Sequence, residues 1–234
     1  MTNKIFIAIT AVIFTFSTYA QTTSEIISKH IEAIGGKENW SKLKSLRQTG
    51  KIKMQGAEIT ITTSQIDEKA YRTDISVMGM TGYTFFTTTE GWMFMPFQGQ
   101  TVPEPMTPED VKMSQDQLDI QNDFISYVES GKKLEDLGSD EVDGTECFKL
   151  KLTDKDGTET TYFIQKDSYL LLKETTKMSS NGQEMENSVT YSNYVKTPEG
   201  ILFAMNMATQ QGDMEITKIE VNPTIDEEIF KIKK

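Results

Sequence analysis

Three pairs of methionines stand two residues apart: Met78/Met80, Met93/Met95 and Met205/Met207. On a strand such residues share a face, so each pair offers two thioethers side by side. Soft thioethers select Cu(I). Sites of that kind usually add imidazole, and the only histidine, His30, is distant in sequence from all three pairs. The same methionines also suit an apolar wall that re-packs around varied ligands. Two alternatives to a site for a hydrophobic ligand therefore stand: a periplasmic Cu(I)-binding protein using the Met-x-Met pairs, and a structural or interaction module with a filled core and no ligand. Asp154-Lys155-Asp156-Gly157 begins like a calcium loop, but the later acids and the closing glutamate are missing. It reads as a hairpin turn. Carboxylates are plentiful, yet they are spread over turns and helix faces. None is flanked by the apolar residues that would raise its pKa, so no acid/base pair emerges. His30 sits among Ile26, Ile27 and Ile34 without a nucleophile or an orienting group, and reads as a packed imidazole. The single cysteine, Cys147, cannot form an internal disulfide and reads as a small buried apolar residue. With no catalytic set, no cofactor and no metal site in view, the expectation is not an enzyme but a binding protein.

The elements that must position these residues alternate with period two over most of the chain. Gly82–Gly99 reads as a hairpin: Tyr83–Thr88, a turn at Thr89-Glu90-Gly91, and a return strand Trp92–Phe97. The return strand is apolar on both faces, with Trp92 and Phe94 on one and Met93, Met95 and Phe97 on the other. A sheet with one wet face would alternate apolar and polar. So both faces are covered, or one lines an apolar cavity. Before it, Thr23–Ile34 reads as a helix capped by Thr23 and stopped at Gly35-Gly36, and Lys37–Lys44 as a short second helix. From Ser45 about five sequential strands follow, with a turn at Gln55-Gly56. Thr107-Pro108-Glu109-Asp110 has the residue order of a helix start, and helix in two pieces is expected to about Ser130. Strands resume at about Leu134 and run to Val221, with a turn at Ser179-Ser180-Asn181-Gly182. The total is about eleven strands, nearly all consecutive and antiparallel. The fold class is mainly β with helices, α+β.

Residues 1–20 carry Lys4, an apolar run Ile5–Phe16 and small residues before Ala20, the pattern of a cleaved secretory signal peptide. The run falls short of the roughly 20 apolar residues of a spanning helix. Removing it from 234 residues leaves 214, residues 21–234, one domain of ordinary size. The net charge of −11 becomes −12 as Lys4 leaves. An acidic chain with only Arg47 and Arg72 for arginines excludes nucleic acid as a partner and disfavours anionic membrane surfaces.

The order of motifs resembles one family. A helix, Gly-Gly and Trp40 precede strands. Then come GWMFMPFQG, the proline-rich link, a middle helix, EDLGSDEVDGTECFKLKL, DSYLLLKE, YSNYVKTPEGILF and VNPTIDEEIF. This resembles the outer-membrane lipoprotein-sorting, LolA/LolB-like (lipoprotein carrier) superfamily over nearly all of residues 21–234. The resemblance implies a half-open, curved antiparallel sheet, an unclosed barrel with helices covering its concave face. It implies a cavity for lipid acyl chains, a lid at about 107–130 and periplasmic location. Its implied partners are a lipid or an acylated lipoprotein and membrane-bound transport proteins. It also implies an arginine bonded to the lid, and the lid stretch itself has none. On the pattern of apolar residues, the cavity wall is expected at Tyr83, Phe85, Trp92, Met93, Phe94 and Met95, with Leu118, Phe124 and Val128 from the lid.

Overall fold

Thirteen strands form one antiparallel, curved and unclosed sheet. The computed structural model describes residues 21–54, 57–155, 157–180, 183–210 and 212–232. The expected leader at 1–20, the Gln55-Gly56 turn, Asp156, and Asn181-Gly182 lie outside those residues. Helices α1 (Thr23–Ala33) and α2 (Lys37–Trp40) come first. They are followed by β1 (Ser45–Met54), β2 (Ala57–Ile66), β3 (Ala70–Val77), β4 (Met80–Thr87), β5 (Gly91–Phe94) and β6 (Glu104–Pro105). Next are α3 (Pro108–Met113), a 3₁₀ turn at Gln115–Leu118, and α4 (Asp123–Ser130). The second strand run is β7 (Lys133–Val142), β8 (Thr145–Thr153), β9 (Glu159–Gln165), β10 (Leu171–Ser180), β11 (Gln183–Lys196), β12 (Leu202–Thr209) and β13 (Gly212–Val221). A 3₁₀ turn at Glu227–Phe230 is the last element of the described residues.

Local chemistry sets several boundaries differently from the sequence expectation. Thr22, not Thr23, caps α1: its hydroxyl accepts from the Glu25 amide while the Glu25 carboxylate accepts from the Thr22 amide. Helix α2 stops at Trp40 rather than Lys44. Strand β5 stops at Phe94, because Pro96 has no amide to donate and instead starts a 3₁₀ turn at Pro96–Gln98. Strand β10 runs to Ser180, past the expected turn at Ser179-Ser180, and β11 begins at Gln183. The strand count rises from about eleven to thirteen. One addition is β6, two residues within the proline-rich link. The other is the division of β7 from β8 at Asp143-Gly144, where both residues have positive φ. The expected lid at 107–130 is three helical pieces rather than two.

The sheet order is β6-β5-β4-β3-β2-β1-β13-β12-β11-β10-β9-β8-β7. Every pair of neighbours is also consecutive in the chain except β1 and β13. Strands β6 and β7 are therefore opposite edges, and the segment joining them must cross the sheet. That requirement, more than helix propensity, lays α3 and α4 over one face.

Two apolar clusters lie on the helical, concave face. One joins Ile34, Trp40 and Leu43 to Leu46 of β1, Ile201 just before β12, Phe203 on it, and Ile120 and Ile125 of the crossing segment. The other joins Ile26 and Ile27 of α1 and Phe124 of α4 to Leu150, Leu152, Tyr162 and Ile164. A third cluster, Ala70, Phe85 and Phe230, lies on the opposite face, where Ile225, Ile229 and Ile232 pack with Tyr83 and Trp92. The C-terminal segment thus covers the outer face of β3–β5. This explains the two-sided apolar hairpin: Tyr83 is opposite Phe94 and Phe85 opposite Trp92 in the register, all facing the same way.

Gly35 is where the first helix meets the sheet. Its φ is +117°, and a Cβ there would lie 2.5 Å from the Gly200 carbonyl oxygen and 2.9 Å from the Ile201 Cα. Next to it the Leu202 amide donates to the Ile34 carbonyl at 2.9 Å. Only a residue without a side chain allows the backbones this close.

Candidate functional site

A cavity of about 400 Å³ separates the helices from the concave face of the sheet. That is within the range of roughly 300–1,000 Å³ common for small-molecule sites. Trp40, Phe124, Leu171, Leu202, Phe203 and Met207 give it apolar walls. Polar groups line it too: His30, Asn122, Asp123, Tyr162, Glu174, Tyr191 and Tyr194.

These polar groups form a connected set. The His30 ring, buried in α1, is 2.7 Å from the Tyr169 carbonyl through Nδ1, and Phe124 meets the ring edge-on at 5.3 Å. Burial lowers its pKa below the ordinary histidine value, against the opposing effect of the Tyr169 bond. On β9, the Tyr162 hydroxyl donates to Asp123 Oδ2 at 2.5 Å. Burial, and then Asp123, raise the Tyr162 pKa well above the phenol range. Strand register sets Glu174 of β10 opposite Tyr162. The Tyr191 hydroxyl donates to Glu174 Oε1 at 2.7 Å, and the Tyr194 hydroxyl donates to the Leu171 carbonyl at 2.7 Å. Burial raises the Glu174 carboxyl above the ordinary glutamate range, against the Tyr191 bond. The expectation that no carboxylate has an environment raising its pKa is corrected here. Lys173 and Thr175 flank Glu174 in sequence, but its surroundings in space are Tyr162, Tyr191 and the cavity.

The crossing segment is fastened near its middle and at its C-terminal end. Gln65 Nε2 on β2 donates to the Gln117 and Leu118 carbonyls at 2.8 and 3.2 Å, and the Glu68 amide donates to Leu118 at 2.9 Å. At the C-terminal end Lys132 pairs with Asp123 at 2.8 Å and Asp154 at 3.2 Å. Burial works against the Lys132 ammonium, but Asp123 and then Asp154 outweigh it and hold its pKa above the ordinary lysine value. Neither arginine bonds to the crossing segment. Arg47 Nε donates to Ser64 at 3.2 Å. Arg72 pairs with Asp74 at 2.7 Å, stacks on Tyr83, and donates to the Ile229 carbonyl at 2.6 Å. Its bond holds the C-terminal segment; Gln65 is the side chain that reaches the lid carbonyls.

The nine residues expected at the cavity wall fall in different places. Phe124 lines the cavity. Leu118, in the 3₁₀ turn of the lid itself, is buried but is not among the residues lining the cavity. Val128 is 67% exposed and Met93 37%. Tyr83, Phe85, Trp92 and Phe94 face the C-terminal side of the sheet, and Met95 precedes the 3₁₀ turn. Sequence reasoning missed Trp40, Phe203, Glu174, Tyr191 and Tyr194, whose convergence depends on distant strands. The methionine pairs are divided by the sheet order. Met78 is 82% exposed in the β3–β4 turn, and Met205/Met207 on β12 are separated from β4 by β13, β1, β2 and β3.

A larger cleft of about 810 Å³ lies among the outer ends of β2, β1, β13, β12 and β11. Lys51, Lys53, Glu58, Asp213 and Glu215 line it, and Lys51 already pairs with Glu58 at 2.8 Å. No aromatic residue lines it. The smaller cavity has the buried aromatic walls.

No protein-family model and no curated protein matches the sequence. Solved structures do match. A LolA superfamily protein from Nitrosomonas europaea superposes with a TM-score of 0.58, at 14% identity, over 91% of this chain and 99% of that one. An outer-membrane lipoprotein-sorting protein domain from Vibrio parahaemolyticus gives 0.53 at 14% identity, over 88% and 94%. A DUF1329 family protein from Desulfovibrio piger gives 0.55 at 13% identity, over 89% and 96%. The fold is the LolA-like fold.

Proposed function

We propose that this chain is a non-enzymatic periplasmic carrier that holds a hydrophobic ligand, a lipid or lipoprotein acyl chain, in the cavity beneath α1 and α4. The observation that carries the reading is the cavity itself: Trp40, Phe124, Phe203, Leu171 and Met207 around about 400 Å³, rather than a filled core. The LolA-like fold supports it. So does the leader pattern of residues 1–20. Among the described residues no helix is long and apolar enough to cross a membrane. Acyl chains leave water for the cavity, which contributes about 0.8 kcal/mol per buried CH₂. Release requires the crossing segment to move off the sheet, and the Gln65 and Lys132 contacts resist that motion. Among the nine residues first expected at the wall, Phe124 makes direct contact with ligand. Tyr83, Phe85, Trp92 and Phe94 hold the C-terminal segment instead.

The test is native mass spectrometry of the protein purified from a periplasm, followed by lipid extraction and titration with a fluorescent fatty-alcohol probe. A co-purifying amphiphile, or saturable probe uptake that Phe203→Trp diminishes, is the expected result. A clean apo mass with no probe uptake overturns the carrier reading.

A further inference from the structure

The cavity is one-sided in its charge. Asp116, Asp119, Asp123 and Glu174 line it, and no lysine or arginine does. Asp123 is already satisfied, by Lys132 on one oxygen and Tyr162 on the other. Glu174 is not. Its Oε1 accepts from Tyr191, while among the described residues its Oε2 accepts no hydrogen bond and no cation pairs with it. That second oxygen is not sealed off, since among the described residues the one fully buried polar side-chain atom lacking a partner is Thr197 Oγ1. Two aromatic side chains flank the carboxylate, Tyr162 opposite it on β9 and Tyr191 bonded to it, and Trp40, Phe124 and Phe203 line the same cavity. A carboxylate within an aromatic enclosure attracts a cation twice, through its charge and through the ring faces. It repels a fatty-acid carboxylate or a phosphate for the same reason.

We propose that the cavity selects an amphiphile bearing an amine or quaternary ammonium group, with its nitrogen beside Glu174 and its tail along Trp40, Phe203 and Met207. This rests on the carrier reading and specifies the ligand class for it. Glu174 is the specificity-determining residue. Tyr191 bonds its other oxygen and leaves Oε2 for the ligand.

The test compares three probes with the same ten-carbon tail: decyltrimethylammonium, 1-decanol and decanoate. Each is titrated below its micellar concentration into the full periplasmic chain, by calorimetry or displacement of a polarity-sensitive dye. The ammonium probe is expected to bind about tenfold tighter than the other two. Glu174→Gln is expected to bring the three to parity while dye binding persists, and Tyr191→Phe to keep the preference, since the charge stays. A second readout needs no variant: with ¹³C-glutamate labelling, the Glu174 carboxyl resonance shifts with decyltrimethylammonium and not with 1-decanol. Equal binding of all three probes to the natural chain, or a preference that survives Glu174→Gln, overturns the ammonium assignment and leaves the carrier reading standing. Failure of every probe and of the dye to bind overturns both.

Discussion

His30 and Gln65 show how little a side chain's type says about its role until its surroundings are known. His30 is buried, with its pKa lowered, and its partners are a carbonyl, the Asn122 amide and an aromatic ring rather than a charge. In the unfolded chain it takes up a proton near pH 6.5, while the folded chain holds it neutral to a lower pH. The unfolded state therefore binds more protons in that window, and stability rises with pH there. The contribution is fully present above about pH 6.5 and is lost as pH falls toward the lowered folded value. Urea midpoints measured from pH 7.5 to 5 should fall, and His30→Asn should flatten that fall. Its packed setting was legible from Ile26, Ile27 and Ile34. Gln65 left no such signal, being one polar residue of an alternating strand. Gln65→Ala should cost about 1–3 kcal/mol, because it removes two bonds to lid carbonyls and leaves Leu118 with only the Glu68 amide and Gln117 without this donor. Urea unfolding measures the loss, and hydrogen exchange should speed at the Glu68 amide, which shares the Leu118 carbonyl. Glu174 was illegible for a related reason: its flanking residues are polar, and its enclosure comes from β9 and β11.

At the scale of elements, the C-terminal segment and the Gly35 junction do work that propensity does not reveal. Phe230 is 4% exposed and closes the outer cluster over Phe85 and Ala70. Phe230→Ala should cost about 3–5 kcal/mol by thermal or urea unfolding. It should leave affinity for a cavity probe nearly unchanged, because the two sites are on opposite faces of the sheet. The sequence announced that the hairpin was apolar on both faces but not which segment covers each, since Ile225, Ile229 and Phe230 are far from it along the chain. Gly35→Ala sets a Cβ against the Gly200 carbonyl and demands a left-handed φ from alanine. A loss of at least about 2 kcal/mol is expected, measured by urea unfolding. Most helix and strand ends were read to within a few residues; α2 stops at Trp40, well short of Lys44, and β10 and β11 extend past their expected ends toward their shared turn.

For the whole molecule, period-two alternation and short turns were enough to read a long antiparallel meander with helices before and within it. They were not enough to read its order. The β1–β13 pairing joins Leu46 to Val221 and has no local signature, because both strands are simply apolar on one face. That pairing fixes which half of the chain faces which, and with it the cavity's membership. It also has a temporal consequence. All other strand pairs are between consecutive strands and close short loops, so each half-sheet can assemble by local steps. The seam must wait for the ends of the chain to meet, at a larger entropic cost. Trp40 and Phe203 come from opposite sides of that seam, so the pocket does not exist before it forms. On refolding, β-sheet signal in the far-ultraviolet should therefore appear before the chain can capture a probe. Loaded chains should differ from empty ones mainly by unfolding more slowly. Under the proposed carrier function, a ligand would find the chain only after it is finished, and would then act as the clasp that keeps its two halves together.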